Sequence, residues 1–165
     1  MVVYANRGKK LESIIDATNK QYMIDGVADV RKIPTPVKII SNKAGRVSGH
    51  VEKGTWVDYS GVYNGKAIIF DAKQTSGKSL PLANIHRQQY ELLKSWNQKG
   101  AVAFLLVHFT EIDTYYYLGF ETLRWAYERS ESNGRKSISL KEFEEKSIKI
   151  DRSDYYNLNY LKYVN

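Results

Sequence analysis

The chain has 165 residues, 42% of them hydrophobic and 26% charged, which fits one soluble domain able to bury a core and leaves little room for a second. It has no cysteine, so disulfides, zinc-thiolate sites, iron-sulfur clusters and thiol catalysis are excluded, and any metal must be held by oxygen or histidine. Twenty-five Lys and Arg against 18 Asp and Glu leave a net charge of +7, which favours a polyanionic partner such as nucleic acid, and no apolar run is long enough to cross a bilayer.

The opening residues lack the apolar stretch of a secretory signal, so a cytoplasmic location is expected. Leu11, Ile14, Ile15 and Tyr22 recur at helical spacing and predict a first helix over 8–23, with Gly26 as its exit. Pro34 and Pro36 then impose extended backbone, 37–40 and 46–51 read as strands, and 41–45 supplies turn residues. The result is a projecting hairpin or arm, rich in cations.

A second hairpin runs over 56–63 and 66–74, joined at Asn64-Gly65, the dipeptide suited to a type I′ turn. Pro81 and Asn84 introduce a helix reaching about Asn97, stopped by Gly100. Strands follow over 101–109, apolar enough to be central, and over 114–118, then a helix over 121–129. Ser139 and Glu142 form a capping box that opens a short helix, and the tyrosine-rich tail over 155–163 packs on the body. These elements define an α/β domain with a mixed central sheet flanked by helices.

Closing the second hairpin symmetrically on Asn64-Gly65 pairs residues whose numbers sum to 129, so Asp58 faces Asp71 across the two strands, with Cβ atoms about 4.5–5.5 Å apart. Two like charges so placed need a cation between them, and a divalent ion is the simplest answer. Side-chain alternation sets Lys73 on the face of Asp71 and turns Ile68 and Phe70 the other way. On the following helix Gln89 falls within the stripe of Ile85, Leu92, Leu93 and Trp96. It is either a satisfied core amide or the group whose carbonyl oxygen completes the site. Hard oxygen donors suit Mg²⁺, with Mn²⁺ as a substitute, and Lys73 would neutralise charge developing on a phosphate, so phosphodiester hydrolysis is the expected chemistry. His108, on a buried strand, reads as a satisfied core residue, and neither His50 nor His86 is assigned as a general base.

Asp58 followed by Asp71-Ala72-Lys73 resembles the bipartite signature of the PD-(D/E)XK nucleases. Asn6-Arg7-Gly8, Leu11-Glu12, Asn19, Pro34-Thr35-Pro36-Val37, Pro81-Leu82, Asn84, His86, Gln89 and Asn133-Gly134-Arg135-Lys136-Ser137-Ile138 stand in the order of the RecU family, and the resemblance covers nearly the whole chain. It implies a single nuclease domain over 1–165 with a stalk at 32–53 that engages the centre of a four-way DNA junction. It also implies a homodimer that uses Mg²⁺ to nick two strands of like polarity in recombination and repair. By the same resemblance Asp58 and Asp71 are metal ligands, Gln89 stands beside them, Lys73 serves the transition state and Glu12 contributes from the first helix. Arg7, Lys9, Lys10, Lys38, Lys43, Arg46 and Lys53 are the candidate DNA contacts.

Three departures stand out. The family usually has glutamate at Asp71, a longer arm than aspartate offers. It has threonine where Trp56 stands, with Thr55 adjacent. Bacterial members carry an extension before the Asn-Arg-Gly motif, where this chain begins, as expected of a phage-encoded version. Two other readings of the residues are a PD-(D/E)XK endonuclease acting on linear duplex DNA and a junction-binding protein that does not cut.

Overall fold

The computed structural model describes residues 7–52 and 56–164, with side chains from residue 10 onward. Helix α1 (Arg7–Ile24) is followed by strand β1 (Ala28–Lys32), an arm made of β2 (Val37–Lys43) and β3 (Arg46–Val51), and a hairpin of β4 (Tyr59–Tyr63) and β5 (Lys66–Thr75). Short strand β6 (Ser79–Pro81) and a 3-10 turn (Leu82–Asn84) lead into helix α2 (Arg87–Gln98), strands β7 (Val102–Phe109) and β8 (Thr114–Gly119), and helix α3 (Phe120–Glu131). Strand β9 (Ser137–Ser139), helix α4 (Leu140–Lys146), strand β10 (Ile148–Ile150) and a 3-10 turn (Tyr160–Tyr163) complete the order.

The main sheet runs β1-β4-β5-β7-β8-β10; β5 and β7 are parallel and every other neighbouring pair is antiparallel. Asn64 and Gly65 take φ values of 48° and 73°, the positive pair that a two-residue type I′ turn needs, and Tyr63 pairs with Lys66. That turn fixes the register as expected from the sequence, through Tyr59 opposite Phe70.

Helices cover both faces of the sheet. On one face Leu11 and Ile15 of α1 pack with Ile68, Phe70, Phe104 and the tail residues Leu158 and Tyr160. A stack runs from Tyr59 through Phe70 to Phe104, with ring centroids 4.9 and 4.6 Å apart. The tail is pinned by polar contacts as well, the Tyr160 hydroxyl donating to Asn19 Oδ1 at 2.5 Å and the Leu158 amide to Thr18 Oγ1 at 3.2 Å. The opposite face packs Ile69, Leu105 and Val107 against Tyr90 and Leu93 of α2, Leu123 and Ala126 of α3 and Phe143 of α4. The capping box forms: Ser139 Oγ accepts from the Glu142 amide at 3.3 Å, while Glu142 Oε2 accepts from the Ser139 amide at 2.8 Å.

Four details depart from the sequence reading. Strand β2 extends through Lys43, so the arm turns on Ala44-Gly45 alone rather than over 41–45, because the ladder continues through Ser41–Ser48 and Asn42–Val47 past a bulge at Ile40. Lys32 closes β1 in the main sheet, opposite Tyr59, and so lies outside the two-stranded arm. Helix α2 starts at Arg87, since Pro81 ends β6, paired with β9, and His86 is the N-cap. Strands β1, β6, β9 and β10 were not anticipated; three of them have only three residues, too short for a period to show.

Candidate active site

Asp71 lies midway along β5, on the face that carries Ile69, and is fully buried. Asp58 stands one step beyond the last ladder pair, opposite Asp71, half-exposed at the mouth of a cleft. Each carboxylate is held by the neighbouring strand's backbone: Asp71 Oδ1 accepts from the Asp58 amide at 3.2 Å, and Asp58 Oδ2 from the Ala72 amide at 2.9 Å. Lys73, two residues along β5 on the same face, sets its Nζ 2.6 Å from Asp71 Oδ2.

Gln89 locks this group. Its Nε2 donates to Asp71 Oδ1 at 2.9 Å and to the Trp56 carbonyl at 3.1 Å, and its Oε1 accepts from Lys73 Nζ at 3.1 Å and from the His86 amide at 3.2 Å. Two donors and two acceptor bonds use the whole capacity of a primary amide. The buried glutamine is thus fully satisfied, as the core-amide alternative expects; the groups that satisfy it include members of the carboxylate cluster, and its carbonyl oxygen is taken up by Lys73 and the His86 amide.

Two carboxylates face one ammonium, leaving a net anionic centre. Burial drives the Asp71 pKa well above the ordinary carboxylate value; Lys73 opposes the shift and Asp58 adds to it. The cleft above the pair encloses about 250 Å³ and is lined by Asp58, Lys73, His86, Gln89 and Trp56, with Pro34, Pro36 and Glu52 from the root of the arm.

Glu12 stands apart from this network. It projects from α1, on the sheet face that buries Tyr59, and its Oε2 pairs with Lys32 Nζ at 2.6 Å. Lys32 is held above its usual pKa first by Glu12 and then by Asp16 and Asp58, so its ammonium links Glu12 electrostatically to Asp58. The sequence reading places Lys32 only as the first residue of the 32–53 stalk. Its spacing of 20 residues from Glu12 carries no local signal; only the pairing of β1 with β4, unseen at that stage, brings it there.

The candidate DNA contacts divide into two groups. Lys10 borders a depression of about 580 Å³, with Gln74 and Thr75 at the end of β5 and Asn84 and Thr110 beside them, and its Nζ is 3.8 Å from Asp113. The arm carries the others. Its register sets Lys43, Arg46, Ser41, Ser48, Lys38 and His50 on one face, and Asn42, Val47, Ile39, Gly49, Val37 and Val51 on the other, with Ile40 as the extra residue of the bulge. One face is therefore hydroxylic and cationic and the other almost wholly aliphatic. The side chains of Arg7 and Lys9, and all of Lys53 and Thr55, lie outside the described residues. His108, expected to be a satisfied core residue, is buried and only half satisfied: Nε2 lies 2.8 Å from Asp113 Oδ1, while the buried Nδ1 has no partner among the described residues.

A mixed sheet between two helical layers, with an acidic pair and a lysine on its central hairpin, is the fold of the PD-(D/E)XK nucleases. Consistent with that class, the structure is similar to the Holliday junction resolvase Hjc of Archaeoglobus fulgidus, with a TM-score of 0.52 over 83% of this chain and 92% of that one at 11% sequence identity, a likeness of fold alone. The profile of the RecU family, "Recombination protein U", matches residues 6–165. Proteins named Holliday junction resolvase RecU are similar along the whole chain: that of Bacillus pumilus is 36% identical, over 98% of this chain and 81% of its own, and that of Staphylococcus epidermidis 37% identical, over 99% and 82%. The relative from Bacillus subtilis is 34% identical over 98% of this chain and 81% of its own. The chain belongs to the RecU family.

Proposed function

We propose that this chain is a Holliday junction resolvase, a nuclease that hydrolyses one phosphodiester in each of two strands of like polarity in a four-way DNA junction. The observation that carries this reading is the fully buried Asp71 set against Asp58, with Lys73 and Gln89 fixed around them, in a member of a family whose relatives bear that name. The donors suit a divalent cation: two hard carboxylates, unbalanced by the single ammonium, Asp58 at the mouth of a cleft and Asp71 buried beside it. Asp58 and Asp71 would hold it, with Mg²⁺ as the metal and Mn²⁺ as a substitute. When bound, such an ion polarises the scissile phosphate and lowers the pKa of attacking water.

The side chains have separate tasks. Lys73 neutralises charge that grows on the phosphate oxygens in the transition state. Gln89 acts as a positioning residue rather than a ligand, because its oxygen is already shared between Lys73 and the His86 amide. Glu12 contributes through Lys32 at the flank of the site. The cationic face of the arm, where Ser41, Lys43, Arg46 and Ser48 border a depression of about 500 Å³, takes DNA phosphates near the junction centre. The protein works as a homodimer in the cytoplasm; no helix among the described residues is long and apolar enough to cross a membrane.

The test is purified protein with Mg²⁺ and a synthetic four-way junction. Paired symmetric nicks are expected. Equal cutting of linear duplex would identify a general endonuclease instead, and tight binding without cleavage a non-cutting junction protein. Light scattering at the working concentration checks the dimer.

A further inference from the structure

Trp56 lines the catalytic cleft, and its side chain makes no hydrogen bond to Asp58 or Asp71. It stands two residues before Asp58, where the family resemblance expects threonine. Its backbone carbonyl accepts from Gln89 Nε2, the same nitrogen that holds Asp71, so the backbone that carries the indole is tied to the position of Asp71. The residue is 38% exposed, a large apolar side chain to leave partly in water beside a charged centre. Trp96 of α2 meets it edge-on, with centroids 6.3 Å apart and planes at 87°, and so braces it from the protein side. The bland role for such a ring is to cover Val57 and the end of the core. A smaller aliphatic group would serve that purpose without leaving an indole open to the cleft.

The scissile phosphate of a nucleic-acid substrate must lie against Asp58 and Lys73, so the bases on either side of it pass close to Trp56. Within a continuous duplex both faces of every base are already stacked on neighbours, which leaves no face for a protein ring. At a branch point the stack is interrupted. Base–aromatic stacking tolerates any base, because every base offers a π face. We propose that Trp56 is a stacking platform for the nucleobase next to the scissile phosphate at the branch point, and that it helps this cleft prefer interrupted stacks over linear duplex. The proposal rests on the reading of the chain as a junction nuclease and adds a specificity-determining residue to it.

The test uses junctions with 2-aminopurine at the branch-point nucleotides, bound by Asp71→Ala protein so that nothing is cut. Stacking on the indole quenches the probe. The quench should disappear when Trp56→Ala is added, persist in large part with Trp56→Phe, and disappear with Trp56→Leu, which keeps apolar bulk without a π face. In the cutting-competent chain, Trp56→Leu should slow junction cleavage about 5- to 100-fold, the range expected for losing one stacked base, and Trp56→Phe should recover most of it. Thermal melting of each variant reports folding, and Trp56→Leu carries the comparison if Trp56→Ala does not fold.

Quenching that is the same with Trp56 and with Trp56→Leu overturns the platform, as does equal loss of cleavage in the Phe and Leu variants. A wild-type chain that cuts junctions but shows no indole-dependent quench refutes the platform alone. One that shows the quench but never cuts refutes the nuclease reading and leaves the platform standing. Failure to bind junctions at all would sink both.

Discussion

The carboxylate cluster and the arm, proposed to handle the same polyanion, are built in opposite ways. The cluster is set in the central hairpin between two apolar layers, and Asp71, Lys73, Gln89, two backbone amides and the Trp56 carbonyl satisfy one another. Such a group cannot shift one member without breaking bonds to the others. The arm has no core on either side, and Val37, Ile39, Ile40, Val47 and Val51 are each more than half exposed. Its shape rests on ladder bonds and one bulge. A site that must hold reacting atoms within tenths of an ångström needs the first design, whereas a segment proposed to search for a branched substrate can use the second.

The largest effect should come from the rigid side of this comparison. Asp71→Ala should lower junction cleavage by about 100- to 1000-fold or more while leaving junction affinity intact, since removing an anion does not weaken phosphate contact. Parallel cleavage and gel-shift assays would show it, and joint loss of both activities would mean that the site assignment or the fold had failed. The same residue sets a pH dependence. Its folded pKa lies above the unfolded value, so its contribution to stability is complete below the ordinary carboxylate range and is lost as pH rises through the folded value. Melting in chelator should therefore fall over that window for the wild type, and Asp71→Asn should flatten the fall.

Gln89 comes next. Gln89→Ala strands the Trp56 carbonyl and the His86 amide and takes one of two donors from Asp71 Oδ1, so a stability loss of about 1–3 kcal/mol is expected, with cleavage down about 10- to 100-fold. If melting drops while cleavage is unchanged, the glutamine supports the core and not the chemistry.

On the arm, replacing Lys43 and Arg46 together with glutamine should leave the melting temperature unaltered. Junction binding should weaken several-fold, and the slope of log affinity against log salt should shrink by up to about 2, near 0.9 per phosphate contact. An unchanged slope would remove this face from the DNA interface.

How far the sequence reached follows the same division. The register that opposes Asp58 and Asp71 was readable because one dipeptide, Asn64-Gly65, dictates both turn and pairing, and alternation then places Lys73. The Ser139–Glu142 box and the Gly26 exit, at φ 67°, were local for the same reason. What stayed hidden depends on contacts distant in sequence. Nothing near Ala28–Lys32 announces that it adds an edge strand beside β4, and without that strand neither the Lys32–Glu12 pair nor the Ile33 amide bonded to the Asp58 carbonyl at 2.7 Å can be inferred. The saturation of Gln89 was also invisible, because one of its partners, the Trp56 carbonyl, is a backbone atom 33 residues away.

The two hairpin turns offer the smallest and most direct comparison. Both use two residues at positive φ, but the sheet has Asn64 at 48° where the arm has Ala44 at 49°. Alanine there costs about 1–2 kcal/mol in the left-handed region, which asparagine tolerates better through its own backbone hydrogen bonding. Asn64→Ala should therefore lower the melting temperature by roughly 2–4 °C, since the β4–β5 turn belongs to the cooperative body. Ala44→Asn should slow amide hydrogen exchange across Val37–Lys43 and Arg46–Val51 by a few-fold and leave the melting temperature where it was, because the arm opens before the body does. A rise in melting temperature with Ala44→Asn, equal to the fall with Asn64→Ala, would show that the arm unfolds as one unit with the sheet, and the contrast between a rigid centre and an independently opening arm would fail.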